Sequence, residues 1–248
     1  PGDGTFKVTA AMHHRRAYHT ATLLEDGRVL VCGGLYVDGG QNVYLDVAEI
    51  YDPTQGTWAE VEDLMVRDRA WHVVTRLEDG RLLLTGGAVD RAAEIFDPAT
   101  LTFTRTAGDM LDNRSGHTAQ LLDSGAVLVS GGSFDPDQLK GEIFFPATGT
   151  FEWTDSPMSI GRMHAAAVPV PGGGVVILGG MYYTAGNSIF FLASMDLFDP
   201  TQGTYGGYVQ VANVMRDTRV ASSVTALGDG GWLIAGGISV DASLPELR

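Results

Sequence analysis

An arginine followed three residues later by a histidine is the first pattern in this sequence that could do chemistry. Arg16 and His19 open the stretch RAYHTATLLEDGRVLVCGG, which ends at Gly34. Such a pair can bind an anion or transfer a proton. A catalytic group is normally needed once, so the question is whether the pattern recurs.

The pattern does recur, because each unit carries a diglycine after an apolar run and an arginine seventeen residues before its first glycine. The diglycines are Gly33-Gly34, Gly86-Gly87, Gly131-Gly132, Gly179-Gly180 and Gly236-Gly237, with steps of 53, 45, 48 and 57 residues. The arginines are Arg16, Arg69, Arg114, Arg162 and Arg219, and four are followed by a histidine, at His19, His72, His117 and His164. In the fourth unit the spacing from arginine to histidine is one residue shorter, so the alignment there stays open.

This repetition predicts a structural role for the arginine and the histidine. A second block downstream carries an acid in every unit: Glu49, Glu94, Glu142, Asp196 and Glu246. A carboxylate inside a packed sheet needs a partner, so we predict that arginine and acid pair within or between units. We predict that the histidine bonds to nearby backbone. One aromatic residue per unit should pack an outer strand: Trp58, Phe103, Phe151 and Tyr205.

Each unit contains four short β-prone runs, in unit one HTATLL, RVLVCGG, AEIYDP and TWAEV. The Asp-Gly between the first two favours a hairpin, and the proline after the third ends that strand. A lone four-stranded sheet cannot hide both faces, but a ring of such sheets can. RxxHTAxLLxDGRVLVxGG followed by AEIYDPxTxTW resembles the kelch repeat, and the resemblance implies a kelch β-propeller.

Five repeats predict an all-β chain, a five-bladed β-propeller of four-stranded antiparallel blades forming a single domain over residues 1–248. The ends PELR and PGDGTF, read together, are similar to AEIYDPTQGTW. We therefore expect the last blade to be closed by both termini. Kelch rings more often have six or seven blades, so a larger natural ring stays open as an alternative.

The amino-acid composition disfavours several classes of binding partner. The net charge of −14 includes only sixteen basic residues, which disfavours nonspecific binding to nucleic acid and attraction to anionic membranes. No apolar run approaches the ~20 residues that span a bilayer, so membrane insertion is not expected. The single cysteine, Cys32, excludes an intrachain disulfide and is expected to be a buried thiol.

Function is expected in the segments that do not repeat, because loops on a rigid scaffold commonly carry binding residues. In a propeller, the loops between strands two and three and those between blades share one face. Together their acidic, arginine and tyrosine side chains predict a rim that suits a sugar or a peptide. The candidate ligand-binding residues are Arg15, Tyr36, Asp38, Arg67, Asp90, Arg91, Asp112, Asp135, Asp137, Tyr182, Tyr183 and Arg216.

Enzymatic functions require particular residue types. Copper radical oxidases with kelch-like rings need histidine ligands, and the histidines outside the repeat, His13 and His14, are adjacent and would point opposite ways if extended. No catalytic or metal residue is therefore assigned. Glycoside hydrolysis needs two carboxylates at a suitable separation, and the loop aspartates leave that reading open. No cofactor is predicted, although calcium suits such oxygen ligands.

The sequence favours a binding or interaction module for a protein, peptide or glycan. The alternatives are a carbohydrate-active enzyme with carboxylates at the channel mouth and a spacer domain of a larger secreted protein. A secreted or cell-surface location is expected from the resemblance to acidic bacterial kelch domains.

Overall fold

The computed structural model describes residues 8–133, 135, 138–184, 188–211, 215–227 and 231–239, and these form strands and turns without a helix. No helix in this part of the chain is therefore long and apolar enough to cross a membrane. The strands of the first blade and of the hairpin within it are β1 (Thr20–Leu23), β2 (Val29–Cys32), β3 (Leu35–Asp38), β4 (Gln41–Tyr44), β5 (Ala48–Asp52) and β6 (Thr57–Glu60).

Three further complete blades and part of a fifth follow. Blade 2 has β7 (Val73–Arg76), β8 (Leu82–Thr85), β9 (Glu94–Asp97) and β10 (Thr102–Arg105). Blade 3 has β11 (Thr118–Leu121), β12 (Val127–Ser130), β13 (Glu142–Phe145) and β14 (Thr150–Trp153). Blade 4, with its own hairpin, has β15 (Ala166–Val170), β16 (Gly174–Leu178), β17 (Met181–Tyr183), β18 (Ile189–Phe191), β19 (Met195–Asp199) and β20 (Gly207–Gln210). Blade 5 is described by β21 (Ser223–Ala226) and β22 (Trp232–Ala235).

All strand pairs are antiparallel, and in each complete blade the chain meanders from the first strand to the fourth. The predicted all-β class and the four-stranded antiparallel blades are confirmed. The predicted closure of blade 5 by the two termini lies outside the described residues, and so does Glu246.

The core lies between blades rather than within them. Leu30 and Cys32 of blade 1 pack against Leu82, Leu84 and Phe96 of blade 2. Similar buried clusters fill the junctions between the following blades. The second strands are apolar on both faces because each face meets a different neighbour, as for β8 and β12, whose residues are all buried.

The repeated arginine pairs with the repeated acid inside its own blade, which confirms the predicted pairing. Arg16 Nη2 donates to Glu49 Oε1 at 2.6 Å, and both side chains are fully buried. Arg16 Nη1 also donates to the Gly33 carbonyl at 2.7 Å. Burial alone would raise the pKa of Glu49, but hydrogen bonds from the His13 amide and from Arg16 lower it on balance. The same pair recurs as Arg69–Glu94, Arg114–Glu142 and Arg162–Asp196.

The diglycine joins each blade to the next. The Gly34 amide donates to the Arg69 carbonyl at 2.8 Å. Gly33 has a φ of 62°, and a Cβ there would lie 2.5 Å from the same carbonyl oxygen. Glycine is therefore required for its backbone conformation and for the close approach. The bond recurs as Gly87–Arg114, Gly132–Arg162 and Gly180–Arg219.

The predicted bonding of the histidine to backbone is wrong for His72 and His117. The His72 ring reaches across to blade 1, where its Nε2 lies 2.8 Å from Thr20 Oγ1. His117 Nε2 lies 2.8 Å from the hydroxyl of Thr85 in blade 2, which occupies the second-strand position that Cys32 occupies in blade 1. These bonds cross a blade junction, so they depend on the packing of two repeats.

The fourth unit departs from the repeat at two positions. His164 occupies the left-handed position, with a φ of 51°, that Trp71 occupies in blade 2. It is therefore not the counterpart of His72, which resolves the open alignment. Tyr205 was predicted to pack the outer strand, but it is partly exposed, and Tyr208 packs against Phe198 instead, with ring centroids 5.5 Å apart. Trp58, Phe103 and Phe151 pack on third-strand aromatics as predicted.

Arg69→Ala is expected to lower the free energy of unfolding by about 3–5 kcal/mol, because the fully buried Glu94 carboxylate loses its cation. Arg28→Ala is the matched control, since the pair of Arg28 with Asp26 is solvent-exposed and should change stability by less than about 1 kcal/mol. Urea unfolding followed by tryptophan fluorescence measures both. Equal effects of the two substitutions would contradict the structural role of Arg69.

The buried histidines should make the fold acid-sensitive. Burial and the nearby Arg114 lower the pKa of His117 to about 3, from a usual value of 6.5. Between these pH values the unfolded chain binds a proton that the folded chain excludes. Stability is therefore lost as the pH falls below about 6.5, by about 1.4 kcal/mol per pH unit for each such histidine.

Replacing His117 with glutamine, which does not titrate, should flatten this slope between pH 6 and pH 5, whatever its effect on stability at pH 7. Urea midpoints of the parent and the variant at each pH give the two slopes. An unchanged slope would show that His117 does not stay neutral in the folded state.

Candidate functional site

The loops between second and third strands and the connectors between blades meet on one face of the ring. Isolated bridges such as Ala17–Leu35 and Met163–Met181 join a connector to the loop of the same blade. The two longest loops, predicted only as loops, form the hairpins β3–β4 and β17–β18. A Gly39-Gly40 turn, in which both residues have positive φ, closes the first hairpin.

The first group of candidate residues lies at blade 1. The Arg15 guanidinium carbon stands 4.7 Å from the centre of the Tyr36 ring. Arg15 Nη2 is 3.4 Å from Asp38 Oδ1, and both side chains are largely exposed. The structure thus brings three of the predicted residues together on a shallow surface beside His13 and His14.

His13 and His14 each face a carboxylate. His13 Nδ1 lies 3.1 Å from Glu49 Oε2, and His14 Nε2 lies 3.0 Å from Glu60 Oε1. The two rings therefore engage different acids, as expected for adjacent residues. Within the described ranges, no three His, Cys, Asp or Glu side chains form a group that could hold a metal ion.

The second group lies at blades 2 and 3. Arg67 Nε is 2.6 Å from Asp90 Oδ2, and both side chains are partly exposed. Partial burial acts against ionisation of Asp90, but the hydrogen bonds from Arg67 and from the Ala92 amide lower its pKa on balance. Arg91 lies nearby and donates to the Leu111 carbonyl at 3.3 Å. Asp90 is therefore an ion-pair partner, as Asp38 is.

A smaller cleft of about 350 Å³ lies between these groups. Its aromatic wall contains Trp71, whose ring stacks on Tyr18 at 4.4 Å and meets the edge of Tyr44 at 6.4 Å. Asn113 lines the opposite side, and the neighbouring Asp112 accepts the Asn113 amide at 2.8 Å. Trp71 was not predicted as a site residue, and only its absence from the other units marks it in the sequence.

A cleft of about 540 Å³ lies between the loops of blades 3 and 4. It contains three predicted residues, Asp135, Tyr182 and Tyr183. Tyr182 stacks on Phe190 across the hairpin at 5.3 Å, with an angle of 18° between the rings. The rest of the lining was not predicted, and it includes Ser133, Gln138, Leu139, Ser159, Ile160, Met163, Met181 and Thr184.

The floor of this cleft is a fixed polar element. Arg162 lines it, and its guanidinium is held by Asp196 at 2.6 Å and by the Gly179 carbonyl at 2.8 Å. The hairpin rim is more exposed and apolar: Tyr183 is 42%, Ile189 48% and Phe190 47% exposed. Of the remaining predicted residues, Arg216 is exposed on the connector to blade 5, and Asp137 lies outside the described residues.

Comparison with known proteins agrees with this architecture. Residues 15–65 match the Kelch motif family. The human Kelch domain-containing protein 1 is 27% identical over 88 residues, 35% of this chain and 21% of that protein. The chain thus spans about a fifth of the length of this curated relative.

Two solved structures share the fold at low sequence identity. The structure of YjhT has a TM-score of 0.73 at 14% identity, covering 93% of this chain and 80% of that chain. A fungal alcohol oxidase of the AA5 family, in complex with copper, has a TM-score of 0.71 at 18% identity, covering 91% of this chain and 48% of that one. These structures confirm the predicted propeller fold, and the Kelch motif match lies in the first repeat unit.

Proposed function

We propose that this kelch-repeat β-propeller is a binding module whose loop face takes an extended peptide segment of a protein partner. The observation that carries the proposal is the cleft of about 540 Å³ between blades 3 and 4. It is a concave surface on a rigid scaffold, with a mixed apolar and polar lining, as ligand sites commonly are.

The composition of the cleft favours a peptide over a glycan. Leu139, Ile160, Met163 and Met181 line it, and methionine side chains adapt to varied apolar groups. These apolar side chains suit the alternating side chains of an extended segment. The polar side chains of the same lining, such as Ser133, Gln138 and Thr184, can bond to the main chain of that segment.

The neighbouring hairpin offers a second means of holding such a segment. The β17–β18 sheet contains two strands, so it presents main-chain groups at its edges. An extended peptide can add to a sheet edge through main-chain hydrogen bonds while its side chains enter pockets. The exposed Ile189 and Phe190 beside the cleft would be covered by such a ligand.

The ion pairs of the loop face support binding over glycoside hydrolysis. Asp38 and Asp90 are each held by an arginine, whereas hydrolysis needs two carboxylates directed at one bond. Such pairs add little stability at the surface, but they fix the shape and the charge pattern that a partner meets.

Tyr183→Ala is the variant that tests this cleft. Peptides selected from a random twelve-residue display library on the parent protein should bind Tyr183→Ala at least about 10-fold more weakly, because an aromatic anchor is lost. Tyr44→Ala, which removes an aromatic residue from the other hairpin, is the matched control and should bind as the parent does. Calorimetry measures the dissociation constants.

Two results would overturn the proposal. One is selection of no peptide, or of peptides that bind Tyr183→Ala and the parent equally. The other is a rise of Tm with monosaccharides or oligosaccharides that is lost in Tyr183→Ala, since stabilisation reports binding to the folded state. Calcium chloride in the same thermal series tests the cation that the loop aspartates suggest.

A further inference from the structure

The cleft of about 350 Å³ at Trp71 is built on a backbone position that repeats in every unit. The residue two positions after each repeated arginine has a positive φ, between 51° and 63°: Tyr18, Trp71, Gly116, His164 and Ala221. The Trp71 amide donates to the Tyr18 carbonyl at 3.0 Å, and the Gly116 amide donates to the Trp71 carbonyl at 3.1 Å. The backbone at this position is therefore part of the scaffold, whereas the side chain differs from blade to blade.

Trp71 is an unusual residue for such a position. A bulky side chain rarely adopts a positive φ, because its Cβ is crowded there. Gly116 has the same conformation in blade 3 without that cost. Residues held in such conformations cluster at binding sites, so the conformation of Trp71 agrees with a role for its ring in recognition.

The indole ring of Trp71 is the centre of an aromatic wall. The Tyr18 ring stacks on it with centroids 4.4 Å apart, and the Tyr44 ring meets it edge-on at 6.4 Å. Tyr18 is 56% exposed and Tyr44 is 38% exposed, so this aromatic cluster lies at the surface and not in the core. Accessible aromatic rings attract organic cations through the negative charge of their faces.

The polar residues around the cleft offer hydrogen-bond acceptors that lack donors. Asp68 lines the cleft and is exposed, and none of the residues that the structure describes donates to its carboxylate. Within the same part of the chain, Asp112 Oδ2 and Asn113 Oδ1 are buried without a hydrogen-bond partner. The Asn113 Nδ2 makes one long bond, 3.3 Å to the Val89 carbonyl, so this amide can turn towards the cleft that it lines. A ligand with N–H groups would supply the missing donors.

The neighbouring cation does not neutralise the Asp68 carboxylate. Arg67 is adjacent in the chain, but its Nε donates to Asp90 at 2.6 Å and its Nη1 donates to the Val66 carbonyl at 3.0 Å. Its attraction to Asp68 is weaker than its attraction to Asp90. The charge of Asp68 therefore remains available to a ligand, and the net charge of −14 attracts a basic partner from a distance.

We propose that this cleft binds the guanidinium group of an arginine side chain on a protein partner. The guanidinium stacks against Trp71, and its N–H groups donate to the Asp68 carboxylate and to the Asn113 side-chain oxygen. Arginine suits the cleft better than lysine, because a guanidinium is flat, weakly hydrated and carries five N–H donors in one plane. A quaternary ammonium group would leave the acceptors without donors. A volume of about 350 Å³ suits a single side chain.

This site does not depend on the peptide cleft between blades 3 and 4, although the two clefts are neighbours. Asn113 and Ser115 line the cleft at Trp71, and Ser133 lines the other. Between them, Arg114 forms a backbone bridge with Ser133. A single partner chain can therefore occupy both clefts, with an arginine in the cleft at Trp71.

Titration with Nα-acetyl-L-arginine methylamide tests the proposal, and the corresponding citrulline compound is an uncharged control probe of the same shape. NMR follows the indole N–H signals of the four tryptophans, and the Trp71 signal is assigned by its absence from Trp71→Phe. The arginine probe should shift the Trp71 signal saturably, with a dissociation constant on the order of 1–10 mM for one side chain. The citrulline probe should bind at least about 10-fold more weakly.

Asp68→Asn should weaken binding of the arginine probe by about 10-fold, because the charge is lost while the shape is kept. Asp217→Asn, which removes an exposed carboxylate from the connector to blade 5, is the matched control and should bind the probe as the parent does. Melting curves verify that both variants fold. Tyr183→Ala should also bind the probe as the parent does, so failure of the peptide cleft and failure of this site are distinguishable.

Three results would overturn the proposal. The first is no saturable shift of the Trp71 signal up to about 50 mM arginine probe. The second is equal binding of the arginine and citrulline probes, or of the arginine probe to the parent and to Asp68→Asn, which means that the charge is not recognised. The third is a saturable shift with methyl glycosides and none with the arginine probe, which means that the aromatic wall stacks on a sugar ring.

Discussion

The repeated buried arginine is the interaction on which the rest of the structure depends. Inside its blade, Arg69 bonds to the buried Glu94 carboxylate and to the Gly86 carbonyl. Its own backbone carbonyl accepts the Gly34 amide of the preceding blade. One connector residue therefore ties the sheet of its own blade to the sheet of the preceding blade. Removing one partner of a buried charge is strongly destabilising. The acid and the diglycine therefore recur with the arginine in each unit.

A scaffold stabilised by this repeated unit leaves its loops free to diverge. The blade 1 and blade 4 loops become hairpins, whereas the blade 2 loop is short and ends in the Arg67–Asp90 pair. Interactions of this exposed kind contribute little to stability. Their effect is on shape, because they hold aromatic and charged groups at set positions around the clefts. Stability and recognition therefore rest on different residues in each blade.

Features that repeat in the sequence were predictable, and features that depend on contact between repeats were not. The arginine–acid pair follows from two residues at constant spacing. The partner of His72 does not follow from the repeat, because Thr20 lies in another blade. The first-strand position of Thr20 is occupied in blade 2 by Val73, which has no hydroxyl group. Tyr205 and Tyr208 are both aromatic near one strand, and only the register of β20 on β19 selects Tyr208. Ile160 has no charged, nucleophilic or metal-ligating group that would mark it in the sequence as a site residue. It becomes part of the cleft only because the loop of a neighbouring blade lies opposite it.

The exposed Leu233 also shows that burial of a repeated residue does not follow from its place in the repeat. Its sequence position is indistinguishable from that of Leu30, yet one is covered and the other is not. In a repeat protein each unit gains stability from its interfaces with both neighbours, and burying a leucine contributes about 1.5–3 kcal/mol. Blade 5 has one such interface among the described residues, formed by Val224, Trp232 and Ile234 with blade 4. On its other side, Leu233 and Ala235 are paired with Thr225 and Ser223, the same mixture of apolar and hydroxyl side chains that Leu30, Cys32, Thr22 and Thr20 present in blade 1. The same pattern is therefore buried or exposed according to what packs on it, which the sequence of one unit does not specify.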